Sequence, residues 1–328
     1  MKKVQSPVDV SSLVLKAEKR LRKHIRTTLL EYSPHLSEIS QSQVYLKLEN
    51  FQFTHSFKLR GALNKLLSLT EDERGKGVVT ASSGNHGAGV AFASKKLNIK
   101  GTIYLPQKTS SIKVEALRSY GANLKFYGSD CVQTEEQARK QAQQNHQVFV
   151  SPYNDPQIIG GQGTIGIELA QQCPQIDSVF VPVGGGGLIS GIGGYLKSTH
   201  PSIQVIGCQP QNSPVMFESI RAGKIVERET LPTLSDGSAG GIEKNSITFL
   251  LCQTYVDDFI LVSEEEIKQA IRLSLEKQSL LIEGAAALPI ASFIKKRKEY
   301  IGQNIILVIS GARISTDKLR DILCPSSG

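Results

Sequence analysis

Short runs of apolar and β-branched residues alternate with longer amphipathic stretches from about residue 43 onward. Several of the short runs have apolar residues at both alternating sets of positions, as expected for strands that are buried on both faces. They predict strands at 44–49, 77–81, 101–106, 123–127, 178–183, 203–208, 258–262 and 305–310. The amphipathic stretches predict helices at 86–97, 130–145, 187–199 and 264–277. This alternation predicts an α/β fold with a parallel sheet, whose ligands bind at the carboxyl ends of the strands.

The last of these helices has the clearest starting signal. Ser263 precedes three glutamates, Glu264, Glu265 and Glu266. A serine hydroxyl can accept a hydrogen bond from the first free backbone N–H groups, and acidic side chains match the positive end of the helix dipole. We therefore predict that Ser263 is the N-cap of this helix.

Composition and charge limit the class of protein. The 328 residues suffice for about two domains, and the net charge of +8 is scattered among acidic residues without interleaved aromatic side chains. We predict no nucleic-acid partner, but the positive charge suits a small anionic ligand. No apolar run predicts a signal peptide or a membrane span, and the five cysteines form no CxxC pair. We predict a cytoplasmic protein with reduced thiols.

Four consecutive glycines follow the strand predicted at 178–183 and precede a helix. Without Cβ atoms the backbone can turn its N–H groups toward a ligand, and the helix amino end adds partial positive charge. The segment lacks the GKS or GKT of a P-loop, which argues against ATP hydrolysis. We predict a phosphate site here, formed by Gly184, Gly185, Gly186 and Gly187.

A second strand–loop–helix junction has the sequence TASSGNHGAG. Its hydroxyl, amide and imidazole groups lie at a helix start, which suits a carboxylate ligand. Serine and asparagine are also common turn residues for backbone reasons, and we read His86 as a loop or capping histidine rather than a catalytic base. The predicted carboxylate-binding residues are Ser82, Ser83, Asn85 and His86.

A third candidate is Lys58 in HSFKLRGALNKL, where Ser56 is predicted to be the N-cap of a helix. A lysine in the first helical turn is disfavoured by the dipole, so its amine loses a proton more easily. The neutral amine is the form that attacks an aldehyde. Most lysines at such positions are simply solvated, so this pattern alone does not single out Lys58.

Together the segments resemble the fold-type II enzymes of pyridoxal 5'-phosphate (PLP), specifically the serine/threonine dehydratase and serine racemase group. The resemblance runs from about residue 20 to 320 and includes SFKLRGALN, SSGNHG, GGQGTIGIEL, VPVGGGGLISGI and the terminal ISG. The stretch LPTLSDGSAGGIEKNSITF is especially similar to the hydroxyectoine-utilisation dehydratase branch.

The resemblance implies an α/β architecture with two open twisted, mainly parallel sheets flanked by helices. Residues 1–77 and 152–328 would form a large PLP-binding domain, and 78–151 a small domain that closes on the substrate. It implies that Lys58 carries PLP covalently and later removes the substrate α-proton. Phe57 would pack on the pyridine ring, Asn85 would bond the ring hydroxyl, and Gly184 to Leu188 would hold the phosphate.

Ser310 occupies the position where this group places a hydroxyl against the pyridine nitrogen. Such a hydroxyl does not protonate the nitrogen, which favours early loss of a β-hydroxyl and hence elimination. The family usually continues SGGN, but this chain reads SGAR, with Ala312 and Arg313 in place of glycine and asparagine. By resemblance, Glu283 lies near the cofactor ring, although a glutamate that caps its own helix is an equally good interpretation.

Two further implications concern the cleft and a metal. Asn154 and Asp236 match family positions that line the substrate cleft. Several members bind a divalent cation through carboxylates where this chain has Gln209 and Val215, so we predict no metal site.

The implied reaction is dehydration and deamination of L-threonine, L-serine or a related β-hydroxy amino acid to a 2-oxo acid and ammonia. Ser83 leaves an alternative open, because racemases of the group use a serine there to reprotonate the α-carbon. A racemase of serine or hydroxyaspartate and a PLP-binding protein without turnover are therefore the two competing hypotheses. The family also implies a homodimer or homotetramer that acts on a small amino acid.

Overall fold

The computed structural model describes residues 8–324. Within that range the strands are β1 Leu30–Tyr32, β2 Gln43–Leu48, β3 Val78–Ala81, β4 Gly101–Leu105, β5 Asn123–Phe126, β6 Val148–Phe149, β7 Ser178–Pro182, β8 Gln204–Pro210, β9 Asp258–Val262 and β10 Asn304–Ile309. The helices of the same range are α1 Val10–Leu21, α2 Pro34–Ser40, α3 Lys58–Leu67, α4 Glu71–Lys76, α5 Asn85–Leu97, α6 Ser111–Ser119, α7 Cys131–Gln144, α8 Pro156–Gln172, α9 Gly187–Thr199, α10 Val215–Ala222, α11 Ile247–Tyr255, α12 Glu264–Gln278, α13 Gly284–Lys296 and α14 Thr316–Leu323. Short 3₁₀ helices cover Glu49–Phe51 and Arg297–Tyr300.

The strands form two sheets. One has six strands in the order β1-β2-β10-β7-β8-β9, and the other has four in the order β5-β4-β3-β6. All neighbouring strands run parallel except β1 and β2, which are antiparallel. The predicted α/β fold with two mainly parallel sheets is confirmed.

The four-stranded sheet uses only strands between residues 78 and 149, whereas the six-stranded sheet takes strands from both sides of that segment. We call residues 78–151 the small unit and the remaining described residues the large unit. The chain therefore leaves the large unit once and returns to it. This path brings the carboxyl ends of β3 and β7, which belong to different sheets, within reach of one site.

The core of the large unit lies on both faces of its sheet. All five residues of β7 are buried. Apolar side chains of α12 and α13 cover one face, and those of α8 and α9 cover the other. On the first face the Phe180 ring packs edge-on against Phe293 and Tyr300, with centroid distances of 5.7 and 5.1 Å. Burial on both faces explains why β7 has apolar residues at both alternating sets of positions.

A buried ion cluster fixes the start of α3. The Arg60 guanidinium donates to Glu49 at 2.7 Å and to Glu168 at 2.8 Å, and the Lys47 amine donates to Glu168 at 2.6 Å. Burial alone would raise the pKa of Glu168, but the two cations hold it at about 2. Buried charges need such pairing. The cluster ties α3, which begins at Lys58, to β2 and α8.

The eight predicted strands and four predicted helices are confirmed to within two residues at each end. Ser263 is confirmed as an N-cap, since its hydroxyl accepts from Glu266 N at 3.2 Å and Glu266 bonds back. No helix in residues 8–324 combines the length and apolar character needed to cross a bilayer. Residues 1–7, part of the segment used to predict the lack of a signal peptide, lie outside the described residues.

Candidate active site

Lys58 is the first residue of α3 and lies between the two units. Its Nζ donates to the carbonyl of Pro152 at 2.7 Å and lies 5.1 Å from the centroid of the Phe57 ring. Burial lowers the pKa of this amine to about 8, while the nearby Glu283 carboxylate acts in the opposite direction. A lysine whose amine loses its proton this easily is suited to attack a carbonyl carbon and to accept a proton.

The prediction that Ser56 caps α3 is wrong. The N-cap is Phe57, without a side-chain hydrogen bond, and Ser56 forms an isolated β-bridge with Gly311. The Phe57 N–H donates to the Ser310 carbonyl at 3.1 Å, so the backbone pairs with the chain after β10 and leaves no room for a capping turn. The Ser56 hydroxyl is buried and has no hydrogen-bond partner among the described residues.

The four-glycine loop joins β7 to α9 and is crowded by the Tyr153 ring. A Cβ on Gly185 would lie 2.4 Å from that ring, and one on Gly184 would lie 2.9 Å from the Ser238 carbonyl oxygen. Gly186 has φ +84°. Glycine fits this loop because it has no Cβ and readily adopts a positive φ. The loop leads into Gly187 and Leu188, so backbone N–H groups lie at the positive end of α9.

The second loop joins β3 to α5 in the small unit. Asn85 Nδ2 donates to both carboxylate oxygens of Glu283, at 2.8 and 2.9 Å, and its Oδ1 is buried with no partner among the described residues. The Ser82 hydroxyl accepts from Gly84 N at 3.3 Å. Ser83 is half-buried, and no hydrogen bond of its hydroxyl is found within residues 8–324. The loop therefore keeps unsatisfied polar groups at a helix amino end.

His86 is the second residue of α5 and is buried. Its Nε2 lies 3.0 Å from the Val150 carbonyl, and burial, followed by the charge of Lys58, lowers its pKa to about 3. Since a carbonyl can only accept, the neutral ring has its proton on Nε2 and an acceptor at Nδ1. The His86 side chain therefore does not cap α5 and carries no charge near neutral pH, and its substrate-binding role stays a prediction.

Glu283 is the N-cap residue of α13, but its side chain does not cap that helix. The carboxylate accepts instead from Asn85 across the cleft and from the Arg313 backbone N–H at 2.9 Å. Burial raises its pKa to about 7, against the lowering effect of these two hydrogen bonds. Near neutral pH the group therefore exchanges a proton while bound to a residue of the small unit.

Ser310 directly follows β10 and is buried beside the Lys58 segment. Its carbonyl accepts from Phe57 N. The two departures from the family pattern follow at once. The Ala312 N–H donates to the His55 carbonyl at 3.1 Å, and the Arg313 guanidinium carbon lies 5.6 Å from the centroid of the Tyr120 ring. Arg313 therefore contacts the small unit.

Two predicted cleft residues already have protein partners. Asn154 Nδ2 donates to Glu243 at 2.9 Å, and its Oδ1 accepts from Ile247 N at 3.0 Å. The Asp236 side chain is 53% exposed and pairs with Lys318 at 3.1 Å. Their substrate-binding roles stay predictions.

Sequence reasoning missed several residues of the large unit that hold this site together, of which Glu243 also pairs with Arg139 of the small unit. They are Pro152, Tyr153, Glu243 and Thr248, whose hydroxyl donates to the Gly185 carbonyl at 2.6 Å. No local pattern marks them, because each acts through a partner distant in sequence.

The Gln209 side chain, at a position where several family members have a metal-binding carboxylate, is hydrogen-bonded to the protein on both sides of its amide. Gln209 is buried, donates to the Val183 carbonyl at 3.2 Å and accepts from Phe217 N at 2.8 Å. Val215 is buried as well. Within residues 8–324 no three His, Cys, Asp or Glu side chains are arranged so that they could hold a metal ion.

The arrangement fits PLP. The buried Lys58 amine, whose pKa is lowered, suits the aldehyde of PLP. The glycine loop at the amino end of α9, where an added Cβ would fill the space, suits its phosphate. The Asn85 Oδ1, which has no partner among the described residues, suits its ring hydroxyl. Phe57 and Ser310 flank the same place. The geometry thus defines a site for a phosphorylated carbonyl cofactor at the cleft between the units.

The chain belongs to the family described as pyridoxal-phosphate dependent enzyme, whose model matches residues 21–311. It is 41% identical to the L-threonine ammonia-lyase of Thermotoga maritima over 94% of this chain and 77% of that protein.

Two solved structures extend the comparison. The processed form of threonine deaminase isoform 2 from Solanum lycopersicum is 32% identical, with a TM-score of 0.94 over 98% of this chain and 90% of that one. Maize serine racemase is 29% identical, with a TM-score of 0.90 over 95% and 96%. The similarity to a deaminase and to a racemase matches the two activities that the sequence left open.

Proposed function

We propose that this chain is a PLP-dependent ammonia-lyase that converts L-threonine, L-serine or a related β-hydroxy amino acid to a 2-oxo acid and ammonia. The observation that carries the proposal is the Lys58 amine, which is held by Pro152 between the glycine loop and the Asn85–Glu283 pair, with its pKa lowered to about 8. The similarity to threonine ammonia-lyase and threonine deaminase supports it.

Each part of the site has a task in this proposal. The glycine loop and the amino end of α9 bind the phosphate, Phe57 packs on the ring, and Ser310 faces the ring nitrogen. The hydroxyls of Ser82 and Ser83, with the free N–H groups of α5, bind the substrate carboxylate. When bound, PLP supplies the electron sink for the reaction.

Lys58 then acts as the base at the substrate α-carbon, since its amine deprotonates near neutral pH. The Glu283 carboxyl keeps Asn85 in place at the ring hydroxyl. A serine at the ring nitrogen does not protonate it, which favours departure of the β-hydroxyl over reprotonation of the α-carbon. Because the racemases of the group share this hydroxyl, elimination is placed before racemisation on the 41% identity to a threonine ammonia-lyase, against 29% to a serine racemase.

The Lys58→Ala variant tests the assignment. We expect it to lose both the visible absorption band of bound PLP and the release of ammonia from threonine, serine, 3-hydroxyaspartate and diaminobutyrate. Lys65→Ala, which removes a lysine of the same helix that pairs with Asp155, serves as the control. Retention of turnover without the Lys58 amine would refute the proposal.

A racemase is the second candidate, favoured by Ser83, whose hydroxyl has no hydrogen-bond partner within the described residues, and by the similarity to maize serine racemase. Chiral analysis of unreacted serine separates the two. If D-serine accumulates before any oxo acid is formed, racemisation is the main activity.

For the assembly we propose a cytoplasmic homodimer or homotetramer, as the family implies. Light scattering on the purified protein measures the assembly. A monomer at catalytic concentrations would contradict this part of the proposal.

A further inference from the structure

Glu243 lies in the segment 223–246, which joins α10 to α11 without a helix or strand. None of the roles proposed above uses it. Its carboxylate nevertheless makes one bond to the small unit, at Arg139, and one to Asn154 of the large unit. Oε1 pairs with the Arg139 guanidinium of α7 at 3.1 Å, and Oε2 accepts from Asn154 Nδ2 at 2.9 Å.

The backbone of the same residue reaches the cofactor site. The Glu243 N–H donates to the Tyr153 hydroxyl at 2.9 Å. The Tyr153 ring in turn is the group that a Cβ on Gly185 would strike at 2.4 Å. The preceding residue, Pro152, accepts the hydrogen bond of the Lys58 amine. Residues 151–154 therefore touch both the phosphate loop and Lys58, and Glu243 holds them.

Arg139 is itself held rigidly in the small unit. Its guanidinium pairs with Glu135 at 2.7 Å and lies 4.1 Å from the centroid of the Phe149 ring in β6. Because these contacts fix the Arg139 side chain, the ion pair couples the position of Glu243 to the position of the small unit. The two partners are partly exposed, at 31% for Glu243 and 41% for Arg139, so salt should weaken the pair.

We infer that Glu243 is a positioning residue for the reaction. Its carboxylate clasps segment 223–246 to the small unit and to residues 151–154, and so holds the Ser82–His86 loop closed over Lys58. Loss of the clasp lets the small unit open and frees the Tyr153 ring from the glycine loop. Substrate and PLP then bind more weakly, but the reacting groups are unchanged once the cleft has closed.

Because this role rests on the proposed function, the variants are judged by two readouts. For Glu243→Ala we expect KM for the amino acid to rise about tenfold, with kcat within about threefold, as for loss of a hydrogen bond to a charged group. Titration of the apoprotein with PLP, followed by absorbance, should show a weaker Kd. High salt should raise the KM of the wild type and leave that of the variant unchanged.

Charge reversal distinguishes a clasp from general support of the fold. Arg139→Glu and Glu243→Arg should each raise KM, and the double variant should recover at least half of the combined loss. Glu243→Gln, which keeps an acceptor for Asn154, should lie between wild type and alanine. If the alanine variant does not fold, as shown by thermal melting, the glutamine and charge-reversal variants carry the test.

Two neighbours provide matched controls. Lys244→Ala breaks an exposed pair with Glu227 in the same segment, and Glu135→Gln removes the other partner of Arg139. Lys244→Ala should keep wild-type KM and PLP affinity, and Glu135→Gln, which leaves Arg139 paired with Glu243 and packed on Phe149, should raise KM by less than half as much as Glu243→Ala. If Glu243→Ala behaves like these controls, or the double variant is no better than the sum of the single ones, the clasp is refuted. If no hydroxy amino acid is turned over, the proposed function fails, but the clasp can still be tested. Glu243→Ala should then bind PLP more weakly than the wild type and be cleaved faster by trypsin after Lys244.

Discussion

The two loops that line the site follow parallel strands and precede helices, yet they use opposite chemistry. The loop after β7 is made of glycines, and its fit depends on missing side chains, since a Cβ on Gly185 would strike the Tyr153 ring. The loop after β3 works through side chains, with Asn85 bonded to Glu283, and a Cβ added to Gly84 would meet no atom within 4 Å. The loop after β7 therefore has no space for an added side-chain atom, whereas the loop after β3 depends on the protonation state of Glu283.

The largest expected effect is on the pH dependence of stability. Glu283 has its pKa raised from 4.5 to about 7, so the folded state retains a proton that the unfolded chain has lost. Its contribution is present below pH 4.5 and is lost as pH rises through about 7. The free energy of unfolding of wild type minus Glu283→Gln should fall by about 3 kcal/mol between pH 4.5 and about pH 8.

Denaturant titrations at several pH values measure this difference. His86, whose pKa is lowered, loses its contribution as pH falls, but it is present in both proteins and cancels. A difference that stays flat with pH would show that the side-chain loop does not sense protonation through Glu283.

Next in size is the response to an added methyl group. Gly185→Ala should weaken PLP binding on the order of 10- to 100-fold, as expected for overpacking against the Tyr153 ring. Gly84→Ala, its counterpart in the other loop, should bind PLP like the wild type, because no atom lies within 4 Å of the new Cβ. Absorbance titration of both apoproteins with PLP measures the two affinities. An equal loss of PLP affinity in the two variants would show that the loops do not differ in their tolerance of a Cβ.

A smaller effect is expected from Ser83→Ala. Any D-serine formation should fall at least about tenfold, because a positioned acid is lost, while ammonia release changes less than about threefold. The hydroxyl has no hydrogen bond within the described residues, so the melting temperature should not move. Chiral chromatography and an ammonia assay measure the two rates, with Ser82→Ala as the comparison. Parallel loss of both rates would assign Ser83 to binding instead.

The smallest effect concerns the contact between Arg313 and Tyr120, which supports the small unit beside the second loop. Arg313→Asn restores the family residue and removes a cation–π contact, so kcat/KM should change about two- to fivefold. Arg221→Asn removes a similar contact with Phe217, at 5.4 Å, outside the site and should have no kinetic effect. Indistinguishable kinetics of the two variants would show that Arg313 does not steady the loop.

Local patterns predicted eight of the ten strands in residues 8–324 because short apolar runs report burial directly, but they predicted only five of the fourteen helices there. The two strands that were missed, β1 and β6, have three and two residues, too few for a pattern to develop. Ser56 was misassigned for a different reason. Serine before a helix is a sound capping signal, but its backbone is paired with Gly311, a partner more than 250 residues away.

The same distinction separates the parts of the site. Through its motifs and their resemblance to a family, the sequence by itself determined the family, PLP and the reaction class, and it predicted Lys58 and the two loops as the site. Only the tertiary structure decided how these parts are joined. Asn85 meets Glu283 across 198 positions, and Glu243 meets Arg139 across 104. A motif is formed by neighbouring residues and can be found in the sequence. The pKa of Glu283 and the Glu243–Arg139 clasp depend on burial and on charges that only folding brings together.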